Sequence, residues 1–259
     1  MSSIEGLGSC TIIASDKTGT LTQNQLSVTA FVTSAKVYEN SERPSDDVLI
    51  CAIRCNEAVV KQDKGEFVYT GDQVDVALAR YVADIDSEFL LLQKNSPLVN
   101  QLPYEPINSY AVHVYQEGTV YLHYLKGSPE KVLDQCLSAQ DERESIDRQV
   151  NEWTSKGYRI IALASKVSGE SKIGNEGYNY LGFTAIIDPL RPGVLDAVKT
   201  AQEAGIEIAM ITGDHPNTAY YIAKELSIAI DKEEVINGEE IERWIEHGAN
   251  PREIAHKRV

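Results

Sequence analysis

Residues 10–22, "CTIIASDKTGTLT", set a short apolar, partly β-branched run against a carboxylate, Asp16. Behind it, in immediate succession, come Lys17, Thr18, Gly19, Thr20, Leu21 and Thr22. The apolar run reads as a buried strand over 10–15 and "DKTGT" as the loop that leaves it. Comparable elements return only far downstream. "NYLGFTAIID" (179–188) reads as a strand, and "RPGVLDAVKTAQEAG" (191–205) as a helix with Pro192 in its first turn and Gly205 past its end. "IEIAMIT" (206–212) is another buried strand, and a helix follows from about Asn217 to Leu226. This alternation predicts a doubly wound parallel α/β sheet whose first strand is separated from the rest by an insertion.

The insertion has a different pattern. "PSDDVLICAIRCNEAVV" (44–60) reads as a helix with Ser45 or Asp46 as N-cap. "GDQVDVALARYVADI" (71–85) reads as a second, with Val74, Ala77, Leu78, Tyr81 and Val82 on one face. "SYAVHVY" (109–115) and "TVYLHYLKG" (119–127) alternate as the arms of an antiparallel hairpin. "PEKVLDQCL" (129–137) and "ERESIDRQVNEWTSKG" (142–157) are helical, and "YRIIALASKV" (158–167) is a further strand. The expected organisation is therefore a parallel α/β domain over 1–23 and 179–259, interrupted by an α+β domain over 24–178.

Composition narrows the function. A chain of 259 residues with 42% hydrophobic and 24% charged residues is long enough for about two globular domains. A net charge of −15, spread along the chain, repels nucleic acid and anionic membrane surfaces. No apolar run approaches the roughly 20 residues of a membrane span, and "MSSIEGLGS" lacks the basic start and apolar middle of a signal peptide. As it stands the chain is expected to be soluble and cytosolic. Cys51 and Cys55 lie one helical turn apart, but no second Cys/His pair with metal-site spacing follows. The four cysteines therefore read as reduced thiols.

Asp16 and Asp214, the latter in "TGDH", would meet at the carboxyl ends of neighbouring strands, where open α/β sheets form their crevices. A carboxylate placed there can attack phosphorus and form an acyl phosphate. Thr212 and Gly213 add a hydroxyl and a closely approaching amide. Singly, Asp16 is equally an Asp turn and Asp214 equally a helix N-cap. The octapeptide as a whole is not accounted for in that way.

"SDKTGTLT" (15–22) resembles the phosphorylation motif of the P-type cation-transporting ATPases. "KGSPE" (126–130), "DPLRPGV" (188–194) and "MITGDH" (210–215) follow in the family's order, so the resemblance covers essentially the whole chain. It implies a phosphorylation domain of the haloacid-dehalogenase type, here incomplete, with a nucleotide-binding domain inserted. By the same resemblance Asp16 is the nucleophile, Lys17 balances charge, and the Asp16 carboxylate and Thr18 carbonyl hold Mg2+. Thr212, Gly213 and Asp214 hold the transferred phosphoryl group. Asp188 and Arg191 lie at the hinge and contact ribose or phosphate. In the insertion Tyr104 stacks on adenine, Lys126 and Gly127 line the pocket, Arg159 reaches the phosphates, and Asp75 is an adenine-side carboxylate. Residue by residue, Tyr104 also fits ordinary core, Lys126 a solvated charge and Asp75 an exposed helix position.

The resemblance implies ATP as substrate, Mg2+ as cofactor, and a place at the cytoplasmic face of a membrane in a pump moving a cation, with Ca2+ expected from the calcium-pump-like wording. The alternatives are a haloacid-dehalogenase phosphatase with a large cap and a nucleotide-binding module without turnover. Thr18 separates the pump from the phosphatase. Phosphatases of that type carry a second Asp at this position as acid and base, and threonine cannot activate water in that way. Two features depart from the family. Ser109 stands where calcium-pump relatives carry a basic residue, and the family's later "TGDGVNDAP"-like motif and its preceding lysine are absent. The expectation is an excised cytoplasmic fragment that lacks the pump's actuator and transmembrane parts, binds nucleotide and turns over little or not at all.

Overall fold

The computed structural model describes residues 10–39, 42–92, 96–137, 140–213, 216–248 and 257–259. They fall into two compact units. One comprises Leu26–Trp153 and Tyr158–Ile187; the other comprises the residues before 26, Thr154–Gly157 and the residues from Asp188 on.

The larger unit is built on a seven-stranded, wholly antiparallel sheet. Its members are β2 (Ser27–Val32), β3 (Val37–Glu39), β6 (Leu98–Leu102), β7 (Tyr110–Glu117), β8 (Val120–Gly127), β9 (Arg159–Ser168) and β10 (Asn179–Ile187). Their order across the sheet is β3-β2-β10-β9-β8-β7-β6. The expected hairpin is β7–β8, in register from Tyr110 opposite Gly127 to Glu117 opposite Val120, closed by a turn in which Gly118 has φ 62°. Alternation along these strands divides the core in two. Ala111, Tyr115, Tyr124 and Leu163 face α1 (Asp46–Arg54) and α2 (Gln73–Asp86). Val112, Val114, Leu125, Ala162 and Ala164 face the opposite way. There they meet Val132 of α3 (Pro129–Leu133) and, at the margin of the core, Val150 and Trp153 of α4 (Gln140–Ser155). A separate two-stranded ribbon, β4 (Val59–Asp63) with β5 (Glu66–Thr70), precedes α2.

Two expectations need correction here. The strand over 179–188 does not join a parallel sheet; as β10 it lies antiparallel between β2 and β9. Residues 182–186 are buried without a break. A continuous apolar run marks a strand covered on both faces and does not give the direction of its neighbours. The helix over 44–60 is also shorter than its apolar period suggested, because Asn56 turns the chain back. Its side-chain amide donates to the carbonyls of Ala52 (3.2 Å) and Asp75 (2.9 Å), and its Oδ1 accepts from the Ala58 N–H (2.8 Å). An Asn that satisfies backbone groups in this way competes with helix continuation. Ser45 occupies the N-cap position without a side-chain cap bond.

In the smaller unit β1 (Ile12–Asp16) and β11 (Glu207–Ile211) pair in parallel, from Ile12 opposite Glu207 to Asp16 opposite Ile211. The parallel contact across the insertion is thus present, but β1 is not the buried strand expected: Ile12 and Ile13 are 49% and 39% exposed, because among the described residues β11 is its one sheet neighbour. Among the described residues this sheet has two strands. It packs on α5 (Val194–Glu203) and α6 (Pro216–Glu225) through Val198, Ile208, Met210, Ala219, Ile222 and Ala223. α5 begins later than expected, after Gly193 at φ 80°, so Pro192 precedes the helix. The last described helix is α7 (Gly238–Glu246). Among the described residues no helix is long and apolar enough to cross a membrane.

Candidate functional site

The insertion's candidate residues converge. Asp75, Tyr104, Lys126, Gly127 and Arg159 all line one cavity of about 610 Å³ in the larger unit, with Cys55, Glu57, Ser109 and His113 among its other walls. This volume lies in the range of small-molecule sites. Tyr104 sits at the rim with 57% of its surface exposed, so its ring is not core. Lys126 and Asp75 are both buried, at 7% and 5% exposure, and form an ion pair with each other. The second oxygen of Asp75 accepts from the Glu57 N–H at 2.9 Å. Asp75 is thus in the first turn of α2, where a carboxylate also suits the helix dipole, and both of its oxygens are engaged. Its structural task is to neutralise Lys126 and to tie the chain after α1 to α2.

Gly127 is where two segments approach most closely, because a Cβ there would lie 2.5 Å from the Ser109 carbonyl oxygen. The Ser128 N–H donates to that same oxygen at 2.9 Å. Ser109 adopts φ 59°, and its hydroxyl donates to the Pro106 carbonyl at 2.9 Å. The position that lacks a basic residue is therefore a turn that shapes the rim.

Burial of Cys55 pushes its thiol up to about 12, and burial likewise raises Cys51 well above the usual thiol range. Both donate to backbone carbonyls, Cys55 to Ala111 (3.4 Å) and Cys51 to Ala164 (3.5 Å). All four cysteines are free. Sequence reasoning did not single out Glu57 and His113. The available signals were the carboxylate just past the end of α1 and the inward register of His113 with Ala111 and Tyr115.

The second group of candidates lies in the smaller unit. Asp16 ends β1 with its side chain exposed, and the chain then turns through Lys17–Leu21 with Gly19 at φ 75°. Register places Asp16 beside Ile211, so Thr212 and Gly213 leave the adjacent strand at the same end. Asp214 lies outside the described residues. Lys17 is buried.

Asp188 and Arg191 brace the turn from below. One Asp188 oxygen accepts from the Thr22 hydroxyl at 2.5 Å and the other from the Gln25 N–H at 3.2 Å. Arg191 donates through Nε to the Thr22 carbonyl (3.0 Å) and through Nη2 to the Gly19 carbonyl (2.5 Å). In this structure their polar groups serve the Asp16 loop. Replacing Asp188 by alanine removes the acceptor of the Gln25 N–H and leaves the buried Thr22 hydroxyl with the Lys17 carbonyl, 3.1 Å away, as its acceptor. A loss of about 2 kcal/mol is expected in urea denaturation of this unit, with faster amide exchange over residues 19–25.

The oxygen donors at the turn fit Mg2+ in kind. Mg2+ is bound by one or two carboxylates together with substrate phosphates and water, which suits the Asp16 carboxylate and the Thr18 carbonyl. Among the described residues no group of three or more His, Cys, Asp or Glu side chains is placed to hold a metal ion.

Comparison with known proteins places the chain in a family. The family described as "P-type ATPase, cytoplasmic domain N" matches residues 45–193. The chain is 32% identical to calcium-transporting ATPase 1 of Bacillus cereus, over 92% of this chain and 29% of the relative. It is 30% identical to the cation-transporting ATPase pma1 of Synechocystis, over 88% of this chain and 30% of the relative. It is 29% identical to a sodium/potassium-transporting ATPase alpha subunit of Hydra vulgaris, over 88% and 26%. The chain thus spans under a third of the length of these relatives, and the matched segment contains every residue that lines the cavity. On this match the chain belongs to the P-type ATPase cytoplasmic domain N family.

Proposed function

We propose that this chain is the ATP-binding and phosphorylation region of an ATP-driven cation pump. The observation that carries the reading is the convergence of Asp75, Tyr104, Lys126, Gly127 and Arg159 on one cavity inside the family match. Tyr104 offers an exposed aromatic face for the base, and the cavity's apolar walls exclude water from it. Arg159 at the mouth supplies a cation for the phosphates. Lys126, already neutralised by Asp75, retains N–H donors for the ligand without adding net charge.

The smaller unit supplies the acceptor. An Asp16 oxygen attacks the γ-phosphorus of ATP, the bond from that phosphorus to the β,γ-bridging oxygen breaks, and ADP leaves with the electron pair. The product is an aspartyl phosphate. Mg2+ held by Asp16 and Thr18 would offset the charge of the phosphoryl oxygens. Thr212, Gly213 and Asp214 would hold the transferred group, with Lys17 beside it. Thr18 offers no base to activate water, so the acyl phosphate persists long enough to drive a conformational change. A haloacid-dehalogenase-like topology for this unit accords with the parallel β1–β11 pair that ends at Asp16. The pump would lie in a membrane with this region on its cytoplasmic face, working with actuator and transmembrane parts. Ca2+ is the proposed cargo, on the likeness to the calcium-transporting relative.

Calorimetric titration of the chain with ATP in the presence of Mg2+ tests the nucleotide site. Saturable binding is expected, with Tyr104→Ala weakening it by about tenfold through loss of stacking and buried area. Unchanged affinity in that variant would remove Tyr104 from the site.

A further inference from the structure

The buried pair of Asp75 and Lys126 joins a helix, α2, to a strand, β8, so its aim into the cavity depends on what holds those two elements in place. The corner Cys55–Ala58, just past α1, grips both supports. Toward α2, the Asn56 amide donates to the Asp75 main-chain carbonyl (2.9 Å) while the Glu57 N–H donates to the Asp75 carboxylate (2.9 Å). Toward the sheet, the Cys55 thiol donates to the Ala111 carbonyl (3.4 Å), and Ala111 is the cross-strand partner of Lys126. Asn56, 4% exposed, keeps the corner in shape. Its amide also donates to the Ala52 carbonyl (3.2 Å), and its Oδ1 accepts from the Ala58 N–H (2.8 Å). These bonds take the place of a further helical turn, so the Glu57 N–H is spent on Asp75 rather than on α1. The corner also lies close against the start of α2, because a Cβ on Gly71 would come 3.0 Å from the Ala58 Cα.

We propose that Asn56, which does not itself line the cavity, is a positioning residue of the pocket: it holds the Asp75 carboxylate where it meets Lys126 and so aims the Lys126 ammonium at the ligand. The inference rests on the nucleotide-binding reading above. A binding group works only when its neighbours hold it to within a fraction of an ångström, and here the neighbours are held through Asn56.

The test is Asn56→Ala. Alanine offers the backbone no alternative to the helix, so α1 runs on and the Glu57 N–H leaves Asp75. The ATP affinity of the folded variant, read by calorimetry, is expected to fall about tenfold. The 15N resonance of the Lys126 ammonium should move even without nucleotide, and the Glu57 amide with it. Ile146→Ala is the control for a purely structural effect, since Ile146 of α4 is 2% exposed and its truncation destabilises the same unit. That variant should keep the parent's ATP affinity and Lys126 resonance. Thermal melting establishes which variants fold; should Asn56→Ala not fold, Asn56→Ser, whose hydroxyl keeps an acceptor for the Ala58 N–H, carries the same readings. A folded Asn56 variant with the parent's ATP affinity or an unmoved Lys126 resonance would overturn the inference and leave the nucleotide site standing, and so would an equal loss of affinity in Ile146→Ala. Failure of the parent protein to bind ATP would overturn the site and this inference together.

Discussion

Lys126→Met is expected to destabilise the larger unit by about 3–5 kcal/mol, lower its melting temperature by about 10 °C and abolish ATP binding. Its partner Asp75 is 5% exposed and engaged on both oxygens. Removing the ammonium leaves a carboxylate in the interior with one backbone amide to compensate it, and an uncompensated buried charge costs far more than an intact pair contributes. Asp75→Asn strands the buried Lys126 ammonium in the same way, so a loss of similar size is expected although the amide oxygen keeps an acceptor for the Glu57 N–H. The double variant Lys126→Met with Asp75→Leu should recover most of the stability, since replacing both members of a buried pair by apolar groups is close to neutral. It should not recover ATP binding. Thermal and urea melts with ATP titrations separate these effects, and a Lys126→Met protein as stable as the parent would contradict the buried-pair account.

Gly127→Ala is the second large effect, expected at about 3 kcal/mol with loss of the pocket's shape. The added methyl would meet the Ser109 carbonyl oxygen and the Tyr110 Cβ, each at 2.5 Å, and one of these contacts is rigid backbone. Relief requires β7 to move away from β8, which breaks the Ser128 N–H bond to Ser109 and displaces the rim that carries Tyr104. ATP affinity should fall more than the loss of stability alone implies. Calorimetry on the folded fraction, determined from the melt, reads this directly.

Particular residues show what the sequence discloses and what it withholds. The strand-to-loop change at Asp16 was legible because a β-branched apolar run stops at a carboxylate and a glycine, and local chemistry fixes both. The hairpin ending in Gly127 was legible from period-two alternation. The setting of β10 was not, because burial on both faces gives the same apolar run in parallel and antiparallel sheets. The end of α1 was hidden in the side-chain bonds of Asn56, one of which reaches Asp75.

Among the cavity-lining residues, Tyr104, Lys126 and Arg159 could be named from the resemblance to the family, Lys126 from the motif KGSPE itself. The bracing by Asp188 joins Thr22 to a residue 166 positions away, a contact no local pattern encodes. His113 stayed hidden for a related reason, because its contacts to the Arg54 carbonyl and the Glu57 carboxylate become visible only once β7 is set against the end of α1.

The central claim is that the cavity between Tyr104 and Lys126 holds ATP, and two-dimensional 1H–15N spectra of the chain titrated with Mg2+ and ATP test it most directly. The account predicts saturable shifts concentrated at Tyr104, Ser109, Lys126, Gly127 and Arg159. Spectra unchanged at millimolar ATP, or shifts confined to residues outside that cavity, would contradict it.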